Sequence, residues 1–257
     1  MAMNSRATTR FGVLVPFTNT NLESDFIAAC PPGVSLHFAR LGGYDRDEIP
    51  DENQMAGLGA SPVEEPLQLV AGVRPHAVFY GCTSATLSHG TAFDQALAEK
   101  IRQASGSVTI TAAGAVQHAI SRLGVSRLGF ASPYVAQLND RAIAFLESGG
   151  VNIVSRVDHP EVLDNYGQAA LAPQEVFDMG VRANSDDAEA VLLSCTDMRA
   201  MEVISELESA INKPVVTSNQ AMLFNACEAL GLAPPAYPLG RLFQTITGQK
   251  TRERRHG

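Results

Sequence analysis

Two cysteines stand in matching settings: Tyr80-Gly81-Cys82-Thr83-Ser84 and Leu193-Ser194-Cys195-Thr196-Asp197. A free thiol ionises near a pKa of about 8.5, and it becomes a working nucleophile or base where a helix N-terminus favours the thiolate. Two opposed thiols, one ionised and one neutral, form an acid–base pair that can act on opposite faces of one carbon. The backbone N–H groups after each cysteine, with the hydroxyls of Thr83, Ser84 and Thr196, offer a seat for a carboxylate without any arginine. The nearest basic residue is Arg199, four positions past Cys195, and the sequence leaves open whether it faces the site or solvent.

Three further residues end strands or sit in turns. Asn19, in Pro16-Phe17-Thr18-Asn19-Thr20-Asn21, is either a helix cap or a ligand contact. Tyr134 follows Pro133 at the place in the second half that corresponds to Asn19, and is either structural or a contact. Asn165, in Asp164-Asn165-Tyr166-Gly167, reads by itself as a turn residue. Cys30 and Cys227 read as small core hydrophobes. With no C-x-x-C pair and no ligand spacing among His37, His76, His89, His118, His159 and His256, no metal is expected. No G-x-G-x-x-G follows a strand, and Gly248-Gln249-Lys250-Thr251 lacks the Gly-Lys pair of a phosphate loop. The chemistry is therefore expected to need no cofactor.

These residues must be positioned by a sheet. Apolar runs at Phe11–Phe17, Ser35–Leu41, Ala77–Gly81, Val108–Thr111, Arg127–Ser132, Asn152–Val157, Ala190–Ser194 and Pro214–Thr217 predict strands buried on both faces. Helical stretches alternate with them, the pattern of parallel sheets covered by helices. Thr20-Asn21-Leu22-Glu23 has capping-box spacing. The runs Thr91–Ala104, Ala112–Leu123, Asp140–Ser148 and Gln220–Leu230 stop at Gly106, Gly124, Gly149 and Gly231, each suited to the left-handed position after a helix.

The halves repeat. Gly12 and Gly129 are 117 positions apart, Cys82 and Cys195 are 113 apart, and each half runs strand, strand, Cys-Thr strand tip, helix, strand. The fold class is α/β, with two pseudo-symmetric lobes, each a four-stranded parallel sheet flanked by helices, and an active site in the cleft between them. The expected lobes are 8–115, completed by a C-terminal helix 222–248, and 116–221. Ligands bind beyond the carboxyl ends of such strands, where both cysteines fall, each immediately before a helix.

With 45% hydrophobic and 18% charged residues, the chain supports an ordinary globular core. A net charge of −8 argues against nucleic acid, and the basic cluster Lys250 to Arg255 reads as a solvated tail. Apolar runs such as Ala190 to Leu193 are too short to cross a bilayer, and no apolar leader precedes Val13 to Phe17, so a cytoplasmic protein with no membrane partner is expected.

From about Phe11 to Phe243 the sequence resembles the aspartate/glutamate racemase superfamily, in its branch of maleate cis-trans isomerases and arylmalonate decarboxylases. Gly12-Val13-Leu14-Val15-Pro16-Phe17-Thr18-Asn19-Thr20 is similar to the opening of the isomerases, where the asparagine binds a substrate carboxylate. The resemblance implies that Cys82 is the nucleophile, that Cys195 is its partner, and that Tyr134 and Asn165 touch substrate. Thr83-Ser84 resembles the carboxylate-gripping element of the decarboxylases, and Gly240-Arg241-Leu242-Phe243 is similar to their C-terminus. Those decarboxylases have glycine where this chain has Cys82. The stretch from Ser194 through Arg199, with Ser218-Asn219-Gln220, also resembles racemase-like members found in ectoine breakdown.

The leading expectation is cis-trans isomerisation of a small dicarboxylate such as maleate. Alternatives are racemisation of an Asp/Glu-type amino acid, decarboxylation through Cys195 alone, or a non-catalytic carboxylate-binding protein. The resemblance suggests a homodimer or homotetramer.

Overall fold

The computed structural model describes residues 8–246. His256, the Gly248–Thr251 segment and the Lys250–Arg255 cluster lie outside the described residues.

Eight strands form two parallel sheets: β1 Thr9–Pro16, β2 Val34–Leu41, β3 Ala77–Tyr80 and β4 Val108–Thr111 in one, β5 Arg127–Ser132, β6 Asn152–Asp158, β7 Ala190–Leu193 and β8 Val215–Thr217 in the other. The strand orders are β2-β1-β3-β4 and β6-β5-β7-β8, the same topology written twice. Helices fill the crossovers: α1 Asn21–Ala28, α2 Glu52–Ala60, α3 Glu64–Ala71, α4 Thr83–Leu87, α5 Thr91–Ser105, α6 Ala112–Leu123, α7 Ala136–Ser148, α8 Asn165–Ala170, α9 Pro173–Ala183, α10 Ile204–Ile211 and α11 Ser218–Leu230.

The central strands are the ones with unbroken apolar sequence. Val13, Leu14 and Val15 of β1 and Ala190–Leu193 of β7 are fully buried, as helices on both faces require. β2 and β6 are edge strands and only half-buried, so Ser35–Leu41 and Asn152–Val157 do not carry the two-sided burial expected of them. They accommodate His37, Arg40 and Arg156 for that reason. Phe79 is the hub of the first sheet, with ring centroids 5.0 Å from Phe11 and 5.2 Å from Phe26.

The equivalent helices α6 and α11 pack against one another and against strands of both sheets, which makes them the internal seam. Each is capped by the threonine that ends its strand: Thr111 accepts from the amide of Gly114, and Thr217 and Gln220 form a reciprocal capping box. The boundary expected between residues 115 and 116 falls inside α6. The region 222–248 is not one helix: α11 stops at Gly231, in the left-handed conformation, and helix resumes at residues 240–246.

Three local expectations are corrected. Thr20 caps nothing with its side chain; the first turn of α1 is held instead by Asn19, which accepts from the amide of Leu22, and by Asp197. Gly149 has φ −85°, and Gly150 takes the left-handed turn one residue later. The run read from Asp140 begins at Ala136.

Candidate active site

The tips of β1, β3, β5 and β7 converge on one pocket between the lobes, and both Cys82 and Cys195 line it. Cys82 is the N-cap of α4, with extended backbone, so its sulfur lies beside the first amides of that helix. Cys195 follows β7 but not a helix, contrary to the symmetric expectation. Residues 196–200 are non-helical, a 3-10 turn occupies Met201–Val203, and α10 starts only at Ile204. That stretch is spent on crossing to the other lobe.

A run of polar groups connects the two sulfurs. Cys82 Sγ lies 3.6 Å from Ser84 Oγ, whose hydroxyl donates to Met55 Sδ at 3.0 Å, and the Tyr134 side chain interacts with both Ser84 and Cys195. Cys195 Sγ accepts from the Asp197 amide at 3.3 Å and faces Gln168 Oε1 at 3.8 Å. The space between these walls is a narrow cleft.

The cysteine loops are stitched across the lobe boundary. Thr196 Oγ1 donates to the carbonyl of Gly81 at 3.0 Å and accepts from Asn19 Nδ2 at 3.1 Å. Asp197 Oδ1 accepts from the amides of Thr20 and Asn21 at 2.9 and 3.0 Å, and Asn21 Nδ2 donates back to the Asp197 carbonyl at 2.8 Å. Asn219 Nδ2 donates to the Thr196 carbonyl and to the buried carboxyl of Asp25. Gly81 is required by packing within its own lobe, because a Cβ there would sit 2.8 Å from Leu22 Cδ1 and 2.9 Å from the carbonyl oxygen of Leu14.

Electrostatics make the two thiols unequal. Burial pushes both up, against the depressed values expected of them at helix N-termini. At Cys195 burial is followed by the neighbouring Asp197 carboxylate, and the thiol reaches about 12. At Cys82 burial is opposed by the Ser84 hydroxyl and the amides of Ala85 and Ser84. Desolvation also lifts Asp197 to about 6 and Asp25 to about 7, the latter countered by its hydrogen bond from Asn219.

An arylmalonate decarboxylase family model matches residues 64–243, which is well over half of the chain and includes both cysteine loops. The chain belongs to the arylmalonate decarboxylase family. It is 30% identical to an arylmalonate decarboxylase of Bordetella bronchiseptica over 63% of this chain and 68% of that one. The fold is shared with maleate isomerases. One is the Pseudomonas putida S16 enzyme solved with maleate, at TM-score 0.84 and 22% identity, over 91% of this chain and 97% of that one. Another is a cysteine-to-serine variant of the Nocardia farcinica cis-trans isomerase with a covalently bound succinylcysteine intermediate, at TM-score 0.81 and 21% identity, over 91% and 98%.

Within this decarboxylase-family pocket the structure places Asn19, Cys82, Ser84, Tyr134, Asn165, Cys195 and Thr196 on the wall. Thr83 is off it: the side chain is buried and donates to Ser218 of α11 at 3.0 Å. Asn165 is not in a turn but opens α8, and Nδ2 donates to the carbonyls of Arg46 and Glu48, so it holds the loop after β2. Arg199 pairs with Glu202 at 2.7 Å, half-exposed and outside the pocket. Gly240-Arg241-Leu242-Phe243 is also remote: the Arg241 amide is held by Glu208 of α10. Residues not anticipated are Asp197, Gln168, Tyr44 and Met55. Asp197 lay inside the cysteine motif and could have been found there; the other three carry no local signal. Among the described residues, no three acidic, histidine or cysteine side chains cluster as metal ligands, and no helix is long and apolar enough to cross a membrane.

Proposed function

We propose that the protein is a cofactor-independent isomerase of a small dicarboxylate of the maleate class, with Cys82 as nucleophile and Cys195 as acid and base. The observation that carries this is two cysteines on one pocket wall with unequal surroundings: a hydroxyl and two amides are the main groups opposing burial at Cys82, whereas at Cys195 the adjacent Asp197 carboxylate adds to it. The cysteine easier to ionise attacks, and the one held as thiol delivers a proton.

Cys82 sulfur adds to one alkene carbon, and the π electrons move to the other carbon, which takes the proton of Cys195. The proton leaving Cys82 passes through Ser84 and Tyr134 to Cys195, so that one S–H has added across the double bond. The new single bond rotates. In the reverse step Cys195 removes a proton from carbon as the C–S bond breaks and passes its own proton through the same chain to the departing Cys82 sulfur, so that both thiols are restored and the trans isomer leaves. The second Nδ2 hydrogen of Asn19, the Ser84 hydroxyl and the backbone N–H of Thr83 supply hydrogen bonds to the carboxylates, while Thr196 and Asn165, whose donors are held by Gly81, Arg46 and Glu48, fix the shape of the wall. The maleate and succinylcysteine seen in structures of the same fold support this reading.

Decarboxylation of a malonate through Cys195 alone is the second reading, favoured by the family model and the Bordetella relative. Incubating the metal-free protein with maleate and with substituted malonates, followed by NMR, separates them. Fumarate formation that is lost in Cys82→Ala supports isomerisation; loss of carbon dioxide that survives Cys82→Ala supports decarboxylation. Cytoplasmic location and a homodimeric or homotetrameric assembly accompany the isomerase reading, and sedimentation measures the assembly.

A further inference from the structure

Asp197 has no part in the reaction just described, yet it lines the pocket beside Cys195 and is only 8% exposed. The carboxyl cannot swing away, because Oδ1 receives two amides from the other lobe, Thr20 and Asn21. Among the described residues the pocket wall carries no lysine or arginine. Arg40 of β2, the cation that acts on Asp197, lies off the wall, where it donates to the carbonyls of Pro16 and Asn19 and pairs with Glu23 at 2.7 Å. A dicarboxylate dianion entering this space meets a fixed like charge with little water to screen it. Two carboxylates so placed cannot both stay ionised.

We propose that Asp197 sets the charge of substrate that the site accepts: a second substrate carboxylate is admitted only as a carboxyl–carboxylate pair with Asp197, the two sharing one proton. A dianion then takes up a proton as it binds, and no other species is needed for balance. The inference rests on the dicarboxylate reading above. Desolvation already lifts Asp197 to about 6, which makes that proton easy to hold near neutrality. The groups facing it are Cys195 on its own loop, Cys82 at the tip of β3, Tyr44 of the loop after β2, Asp25 of α1 and Arg40 of β2. Of these Asp25 titrates in the same range, at about 7, but lies off the pocket wall.

The test is calorimetry of succinate binding, in buffers of different ionisation heat, above the range in which Asp197 titrates. Succinate has no double bond to react. The wild-type protein and Asp25→Asn should take up about one proton per site, and Asp197→Asn, whose amide oxygen still accepts from Thr20 and Asn21, about none. In turnover, KM for maleate should rise roughly tenfold per pH unit above that range in the wild type and stay flat in Asp197→Asn. Uptake absent from the wild type overturns the proposal, as do uptake that survives in Asp197→Asn and failure of succinate to bind. Tighter binding of aspartate than of succinate, lost in Asp197→Asn, also overturns it and makes Asp197 a seat for an ammonium group. Proton-linked succinate binding without maleate turnover would leave Asp197 in this role and remove the isomerase reading.

Discussion

At Cys82 the sulfur faces Ser84 and the first amides of α4; at Cys195 it faces the carboxylate of Asp197 and a single amide. Tyr134 interacts with Cys195 and with Ser84, the neighbour of Cys82, so Tyr134→Phe should lower kcat by about 10–100-fold with little change in KM, the usual cost of losing one proton-transfer partner. Thr196→Val should act differently. It breaks the bridge from Gly81 to Asn19, costs about 1–2 kcal/mol in chemical denaturation, and moves both kcat and KM because two loops shift together. The matched Cys-Thr dipeptides were legible in the sequence because a repeat needs no structure to be seen. The direction of the thiol shifts was not. It depends on burial under the loop after β2 and on Asp197, whose orientation is fixed by amides 176 and 177 positions away.

Strands were legible to within about two residues because buried parallel strands are continuous apolar runs bounded by polar tips. Helix starts were harder where the capping partner comes from another element, as at α1. The same dependence on distant partners separates Gly12 from Gly129, which the repeat treats as equivalent. A Cβ at Gly129 would overlap the carbonyl of Ala183 at the end of α9, whereas one at Gly12 meets the movable Val70 side chain at 3.0 Å. Gly129→Ala should therefore destabilise by about 2–4 kcal/mol and Gly12→Ala by well under half of that, measured by urea unfolding. Asp25 on α1 gives a pH signature. Its pKa rises from 3.8 to about 7 on folding, first through desolvation. Between these values the folded state holds a proton that the unfolded chain has released, so stability falls as pH rises through that window. Asp25→Asn should flatten the fall and be more stable than wild type by roughly 1–3 kcal/mol above it, seen in Tm against pH.

For the whole molecule, one topology written twice brings the equivalent helices α6 and α11 together and aims equivalent strand tips at a shared pocket. Two lobes and a cleft could be read from the repeat and the Cys-Thr positions. The unequal use of the two tips could not, because one Cys-Thr step starts a helix and the other crosses the cleft to cap α1 from outside. That asymmetry is what divides the labour between attack and proton transfer. It is tested most directly by intact-protein mass spectrometry of Cys195→Ser incubated with maleate, in which addition can occur but the return proton transfer is crippled. A species heavier by one maleate is expected, mapped by peptide analysis to Cys82 and missing when Cys82→Ala is added. No adduct in a variant whose parent isomerises maleate, or an adduct mapped to Cys30 or Cys227, would contradict it.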